Sequence, residues 1–242
     1  MTPLRLQRYE KSKKYKINHR KTVPLQLQRK VMDDKRYLLG LISEGEHQQQ
    51  DFKYRVSDAL KLAKSVSAFA NTEGGRLLIG VRDDGHLSGV RSEEEIYMMH
   101  QAAYRYCRPE ASIKFDTYHV EGRTIVVTTV PPSDRRPICA IDETGKSCAY
   151  IRIADENIVA SPVHLAIWKE SQRQQGAMMT YSETVVHLLN TMRGKAMTLN
   201  QLTRASRVPR HQVITLLARL IRFRVARWEH VEQQFLFSLV DE

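Results

Sequence analysis

Residues 50 to 90 run through two hydrophobic periods in turn, and this succession constrains the fold more than any other feature of the chain. Gln50 to Val56 repeats every second residue, the pattern of a strand. It puts Phe52, Tyr54 and Val56 on one face and Asp51, Lys53 and Arg55 on the other. Ser57-Asp58 then opens a helix, along which Ala59, Leu62, Ala63, Val66, Phe69 and Ala70 form one stripe. Asn71-Thr72-Glu73-Gly74-Gly75 ends it, the glycines marking positive φ or close backbone approach. Leu77 to Val81 suits a buried strand, Asp83-Asp84-Gly85 a turn, and His86 to Val90 a returning strand. One helix packed between strands is the expectation.

Helices flank this block. Met32 to Ser43 carries Asp33 and Asp34 in its first turn and a stripe of Tyr37, Leu38, Leu41 and Ile42. Ser92-Glu93-Glu94-Glu95 is a capping signature for a helix to about Tyr106. Strands follow at about Ser112–Val120 and Thr124–Pro131, turned by Glu121-Gly122-Arg123. A short strand to Ile141 turns through Asp142–Lys146 into Ala149–Ala154, and Pro162 starts a helix through Glu170. Arg135, Arg136, Lys146 and Arg152 make either a phosphate-facing patch or a solvated loop rim.

Ser171-Gln172-Arg173-Gln174-Gln175-Gly176-Ala177 is polar and glycine-ended, and 171–180 reads as a linker. Beyond them Thr184–Met192 is a helix, Thr198 opens a second, and Pro209–Arg222 is a third with Val213, Leu216, Leu217, Leu220 and Ile221 on one face. Its other face carries Arg210, His211, Thr215, Arg219 and Arg222. Val225–Val231 and Phe235–Val240 form a hairpin. This order resembles a winged helix-turn-helix, in which the third helix enters the major groove. Arg210, His211 and Gln212 would meet base edges, with Arg227 on the wing. Such folds also serve as dimerisation modules.

The net charge of +11 is uneven. Residues 1–31 hold ten Lys/Arg against Glu10, which predicts a basic disordered arm or an extension ahead of a start at Met32. Nucleic-acid binding would therefore rest on local patches and on the two ends.

Several classes are excluded. No apolar run is long enough to span a membrane, and the N-terminus lacks a signal peptide's apolar region. Cys107, Cys139 and Cys148 make neither a disulfide framework nor a standard zinc site, so a reducing cytoplasm is the simplest setting. Asn71–Gly75 lacks the Gly-Lys-Ser/Thr ending of a phosphate loop, so nothing supports ATP.

The run from Ser67 to Val90, SAFANTEGGRLLIGVRDDGHLSGV, follows a strand ending Asp51-Phe52-Lys53. With the later Ala149–Pro162 stretch it resembles the Schlafen-type AlbA DNA-binding domain over roughly residues 40 to 165. The resemblance implies an AlbA-like mixed sheet with packed helices. In nucleolytic members it implies a carboxylate site, whose matching positions here are Glu46, Asp51, Lys53 and Asp83, with Asp84 the alternative to Asp83. Glu46, Asp51 and Asp83 would be the metal ligands for Mg²⁺ or Mn²⁺, hard cations that carboxylates suit, and Lys53 would steady a phosphate. The position expected to hold a second Glu holds Asp51. Asp51 and Lys53 read equally as a solvated, mutually screening face.

The expected architecture is α+β: a basic arm over 1–31, the AlbA-like domain over 32–170, a linker over 171–180 and a winged helix over 181–242. The expected function is DNA-binding transcriptional regulation, with RNA as an alternative ligand and a metal-dependent nuclease as the alternative activity. A homodimer is expected, because Schlafen cores build their groove from two AlbA-like lobes and this chain has one.

Overall fold

The structure, a computed structural model, describes residues 25–90, 92–172 and 181–240, with the backbone alone for 25–31. Helix α1 (Leu25–Ser43) begins earlier than Met32, inside the stretch read as a disordered arm; the rest of that arm lies outside the described residues. Leu38 and Leu41 are buried as expected. Tyr37 is instead half exposed, lying against the ring of Tyr118 at 5.6 Å between centroids.

Strand β1 (Gln50–Lys53), helix α2 (Ala59–Asn71) and strand β2 (Gly75–Ile79) form the strand–helix–strand unit. β1 and β2 pair in parallel, a pairing that needs a crossover, and α2 supplies it. Asp58 caps α2, accepting from the N–H groups of Leu60 and Lys61. β1 stops at Lys53, shorter than expected, and Val56 turns into the core beneath α2 while Phe52 faces α1. The expected returning strand after Gly85 is reduced to a single bridge between Val81 and Leu87.

Helix α3 (Glu93–His100) continues as one π-helical turn, Gln101–Arg105. Ser92 stands at its N-cap without a side-chain hydrogen bond, contrary to the capping signature. Strands β3 (Cys107–Arg108), β4 (Lys114–Val120), β5 (Arg123–Val130), β6 (Cys139–Ile141), β7 (Ser147–Ile153) and β8 (Glu156–Val159) follow, then helix α4 (Pro162–Ser171). One sheet has the order β1-β2-β5-β4 and another β3-β6-β7-β8.

Helix α2 is buried nearly all round because it lies against both sheets. Leu77 and Ile79 pack with it, whereas Leu78, Val127 and Phe52 pack with Leu38 and Leu41 of α1. Each such side chain, fully buried, contributes roughly 1.5–3 kcal/mol relative to exposure. The polar residues of α2 act as strand partners. Asn71 donates to the carbonyls of Ile138 and Tyr150 and accepts from Ile138 N–H, and Ser67 donates to Ile138 O and accepts from Tyr150 N–H. Gly75 is obligatory for packing: a Cβ there would lie 2.3 Å from the Phe69 ring.

The C-terminal elements are α5 (Glu183–Met192), β9 (Met197–Thr198), α6 (Leu199–Ser206), α7 (Arg210–Arg222), β10 (Ala226–Val231) and β11 (Gln234–Leu239). Leu188, Met192, Leu202, Val213, Leu217, Leu220 and Phe237 form their core, and Val163 of α4 joins it. Trp228 and Phe235 of the hairpin pack with Trp168, Ala149 and Ile151. His164 sits among them, 4.6 Å from the Trp228 ring and 4.8 Å from Phe235. Residues 173–180 of the expected linker lie outside the described residues. Among those described, no helix is long and apolar enough to cross a membrane.

Candidate functional site

The segment 44–50 is held by its own glutamines. Gln50 donates to Leu41 O and Gly45 O, and Gln48 spans to β7 through Arg152 O and Ala154 N–H. This anchoring brings Glu46 beside β1, where its Oε1 accepts from Phe52 N–H at 2.8 Å. Asp51, on the same strand, is almost wholly enclosed. Its Oδ2 lies 2.7 Å from Lys53 Nζ, close as an ion pair but off the angle of a hydrogen bond. Its Oδ1 lies 3.4 Å from Arg152 Nη2. Burial raises the pKa of Glu46 above 4.5. A hydrogen bond with Asp51 and that residue's charge push the same way, while Phe52 N–H and Lys53 oppose. Glu46, Asp51 and Lys53 thus converge, and the Asp51 face is interior rather than solvated.

Asp83 does not complete a metal-holding group with Glu46 and Asp51. With Asp84 it lies in the turn after β2, lining an open groove of about 690 Å³ with Ile42, Phe52 and Arg123. Asp84 accepts from His86 N–H, which holds its pKa below the usual carboxylate value. Neighbouring Arg82 lies over the Tyr54 ring at 5.0 Å.

The residues around Glu46 and Asp51 do not fit a divalent ion as they are arranged. Both Asp51 oxygens face cations, one Glu46 oxygen is taken by Phe52 N–H, and Asp83 forms no metal-holding group with them. Among the described residues, no three His, Cys, Asp or Glu side chains are placed to hold one metal. What the cluster offers chemically is a neutralised carboxylate pair with a partly exposed ammonium at its rim.

The structure corrects the basic patch. Arg152 is 2 % exposed and cannot meet a phosphate; it donates to Asn157 Oδ1 and Gln50 O and lies over the Phe69 ring. Its neighbours explain this, since Asn157 is in turn bonded to Ser65 of α2. Arg136 is tied to Thr72 O and half-buried, while Arg135 is exposed.

On α7 the expected residues separate into two sets. Arg210, His211 and Gln212 are exposed on the first turn, with Arg210 held by Asn200 of α6. Thr215, one turn on, is half-buried and donates to His211 O. Arg219 and Arg222 face α4 instead, against the Glu170 carboxylate and carbonyl. Arg227 on the hairpin lies against Glu229 and Ser238.

Sequence reading missed the interior role of Arg152 and its partner Asn157. The signal was faint: an arginine alternating with Ala149, Ile151 and Ile153 reads as an outward residue. It also missed the box around His164, where burial depresses the pKa to about 4 and Nε2 has no hydrogen-bond partner among the described residues.

Residues 46–161 match the profile of the family Schlafen, AlbA_2. The match spans β1 to β8 and leaves α1 and residues 181–240 outside. No curated protein matches the chain. Among solved structures it is similar to a protein from Corynebacterium diphtheriae, at 17% identity over 87% of this chain and 39% of that one, with a TM-score of 0.44. It is also similar to the N-terminal domain of a RecG-related protein from Nitrosomonas europaea, at 22% identity over 62% of this chain and 97% of that one, with a TM-score of 0.37. The chain thus spans 39% of the length of the first.

Proposed function

We propose that this chain, with its Schlafen, AlbA_2 segment, is a nucleic-acid-binding protein that reads duplex DNA through the first turn of α7, as a DNA-binding transcriptional regulator does. The observation that carries this reading is the exposure of Arg210, His211 and Gln212 together, on a helix whose opposite face is core. The family match supports a nucleic-acid role more broadly.

The element order α5, α6, α7 and a hairpin with β9 as third strand supports reading this part as a winged helix. α6 ends at Arg207 in the left-handed region, φ 54°, and α7 begins three residues later, a tight helix-turn-helix. A helix of this width enters the major groove, where Arg pairs with guanine and Gln with adenine. Residues 181–240 hold nine Lys/Arg against three Asp/Glu, a surplus that draws phosphates. The hairpin's apolar face is packed on α4 and β7, so its part is to brace α7. Free cysteines at 107, 139 and 148 suit a reducing, cytoplasmic setting.

The test is binding of labelled duplex DNA and RNA by anisotropy across a salt series, with the chain and an Arg210→Ala/Gln212→Ala variant. Retained affinity in the variant would sink the reading.

A second reading has one observation in its favour, the convergence of Glu46, Asp51 and Lys53. It is a metal-dependent nuclease acting on RNA or DNA through Glu46, Asp51 and Asp83. The engaged Asp51 oxygens, and the lack among the described residues of a third acid placed with Glu46 and Asp51 to hold a metal, weigh against it. Denaturing gels of RNA and DNA incubated with Mn²⁺ or EDTA, beside Asp51→Asn, decide it.

A further inference from the structure

An antiparallel or mixed sheet has two edges, and a natural edge is covered, blunted or used. β4 is the terminal strand of its sheet and pairs only with β5. Among the described residues, no other backbone group hydrogen-bonds to 114–120. At seven residues it is the longest edge strand described. The other long edge, β10, has its charges matched within the strand, Arg227 against Glu229 at 3.4 Å.

On β4 the charges are not matched within the fold. Lys114 and Asp116 are both exposed, two residues apart and therefore on one face, and neither forms an ion pair with another described residue. Between them, on the other face, lies the half-buried ring of Phe115, 4.8 Å from His100, which stacks on the 42 % exposed Tyr104. On the Lys114–Asp116 face, Tyr118 meets the half-exposed Tyr37 of α1. Aromatic surface thus flanks the open edge on both sides.

We infer that β4 is the self-association surface of this protein, pairing antiparallel with β4 of a second copy about a two-fold axis at Phe115. In that register Lys114 of each copy lies opposite Asp116 of the other, and Phe115 lies opposite Phe115. Opposite charges and aromatic pairs placed directly across two strands stabilise the pairing, and like charges oppose it. A two-fold axis at Asp116 would set the two carboxylates against each other, and one at Thr117 would set Lys114 against Val120 and Asp116 against Tyr118, so the charges select the Phe115 register, which pairs residues 113–117 of each copy. A two-fold interface uses the same patch twice, which this alternation of Lys114, Phe115 and Asp116 satisfies. Strand pairing alone is small against the roughly 800 Å² per partner of a stable interface; Tyr37, His100 and Tyr104 supply surface beyond it. The inference stands apart from DNA reading, since the pairing needs no nucleic acid.

The test is the mass of the full chain in solution by light scattering at micromolar concentration, for the parent, Lys114→Asp, and Lys114→Asp/Asp116→Lys. The parent should run at twice the chain mass of 28.0 kDa. Lys114→Asp should weaken the dimer by roughly tenfold or more. The double variant should restore it, which a structural defect could not do. A monomeric parent, a Lys114→Asp variant as dimeric as the parent, or a double variant that stays monomeric each overturns the inference. Circular dichroism melts of both variants confirm that the chains compared are folded.

Discussion

Asp51 Oδ1 and Arg152 Nη2 lie 3.4 Å apart inside the protein, on strands of two different sheets. Gln50 O and Asn157 Oδ1 accept from the guanidinium, and Phe69 covers its plane. Removing one member of such a pair leaves the other charged and enclosed. Arg152→Met should therefore destabilise the fold by about 3–5 kcal/mol. The Asp51→Asn/Arg152→Met double variant should lose less than the sum of the singles. Urea unfolding of the four proteins measures this; additive losses would show that the two groups do not interact.

The site of Glu46 predicts a pH effect of opposite sense to most carboxylates. Its pKa is raised in the fold, by burial first and then by Asp51. Stability from this group is present below its unfolded value and is lost as pH rises through the folded one. Glu46→Gln should therefore gain on the parent as pH rises from 4.5 to 7, and converge with it at pH 4. Melting temperatures across that range give the answer.

His164 is depressed to about 4 by burial in its aromatic box. The unfolded chain binds a proton between about pH 6.5 and 4 that the folded chain does not, so stability is full above 6.5 and falls with pH through that window. A shift of this size is worth roughly 3 kcal/mol between the two ends. His164→Phe keeps the ring packing and loses the hydrogen bond between His164 Nδ1 and Ser161 Oγ, 2.7 Å apart, so it should start slightly less stable at neutral pH yet lose much less between pH 6.5 and 4.5. Denaturant midpoints at the two pH values test it; equal losses in both proteins would refute the assignment.

The two sets of arginines on α7 predict different losses. Arg210→Ala should weaken DNA binding by about 1–3 kcal/mol and relax the preference at the base pair it meets. Arg222→Ala should leave the salt slope unchanged and lower the melting temperature, because its partner is Glu170 O. Binding isotherms at several salt concentrations separate the two.

Gly75→Ala places a methyl where the Phe69 ring already stands. Overpacking of this kind costs roughly 1–3 kcal/mol. Phe69→Leu in the same chain should recover part of the loss, as chemical denaturation would show.

Much of this architecture is legible in the residues themselves. The α2 stripe, the glycine stop, the β4–β5 hairpin and the helices of 183–222 follow from periodicity and caps, which are local. What is not legible depends on a second surface arriving from far along the chain. Ser67 lies off the apolar stripe of α2 and Asn71 reads only as part of its stop, yet both are buried because β7 and the Ile138 backbone lie there. Arg152 reads as outward for the same reason. Glu46, Asp51 and Lys53 come together because Gln48 and Gln50 fold the preceding turn onto β1. Asp83 sits in a turn the residues announce, but where that turn lies relative to Glu46 and Asp51 is set by tertiary packing.

The seating of Trp228 and Phe235 against Trp168, Ala149 and Ile151 has a bearing on how the protein comes apart. A boundary placed by composition at 171–180 is not a boundary in free energy, because α4 belongs to the cores on both sides of it. The halves should melt in one cooperative transition, and a chain cut there should behave as two fragments that complement each other without a covalent link.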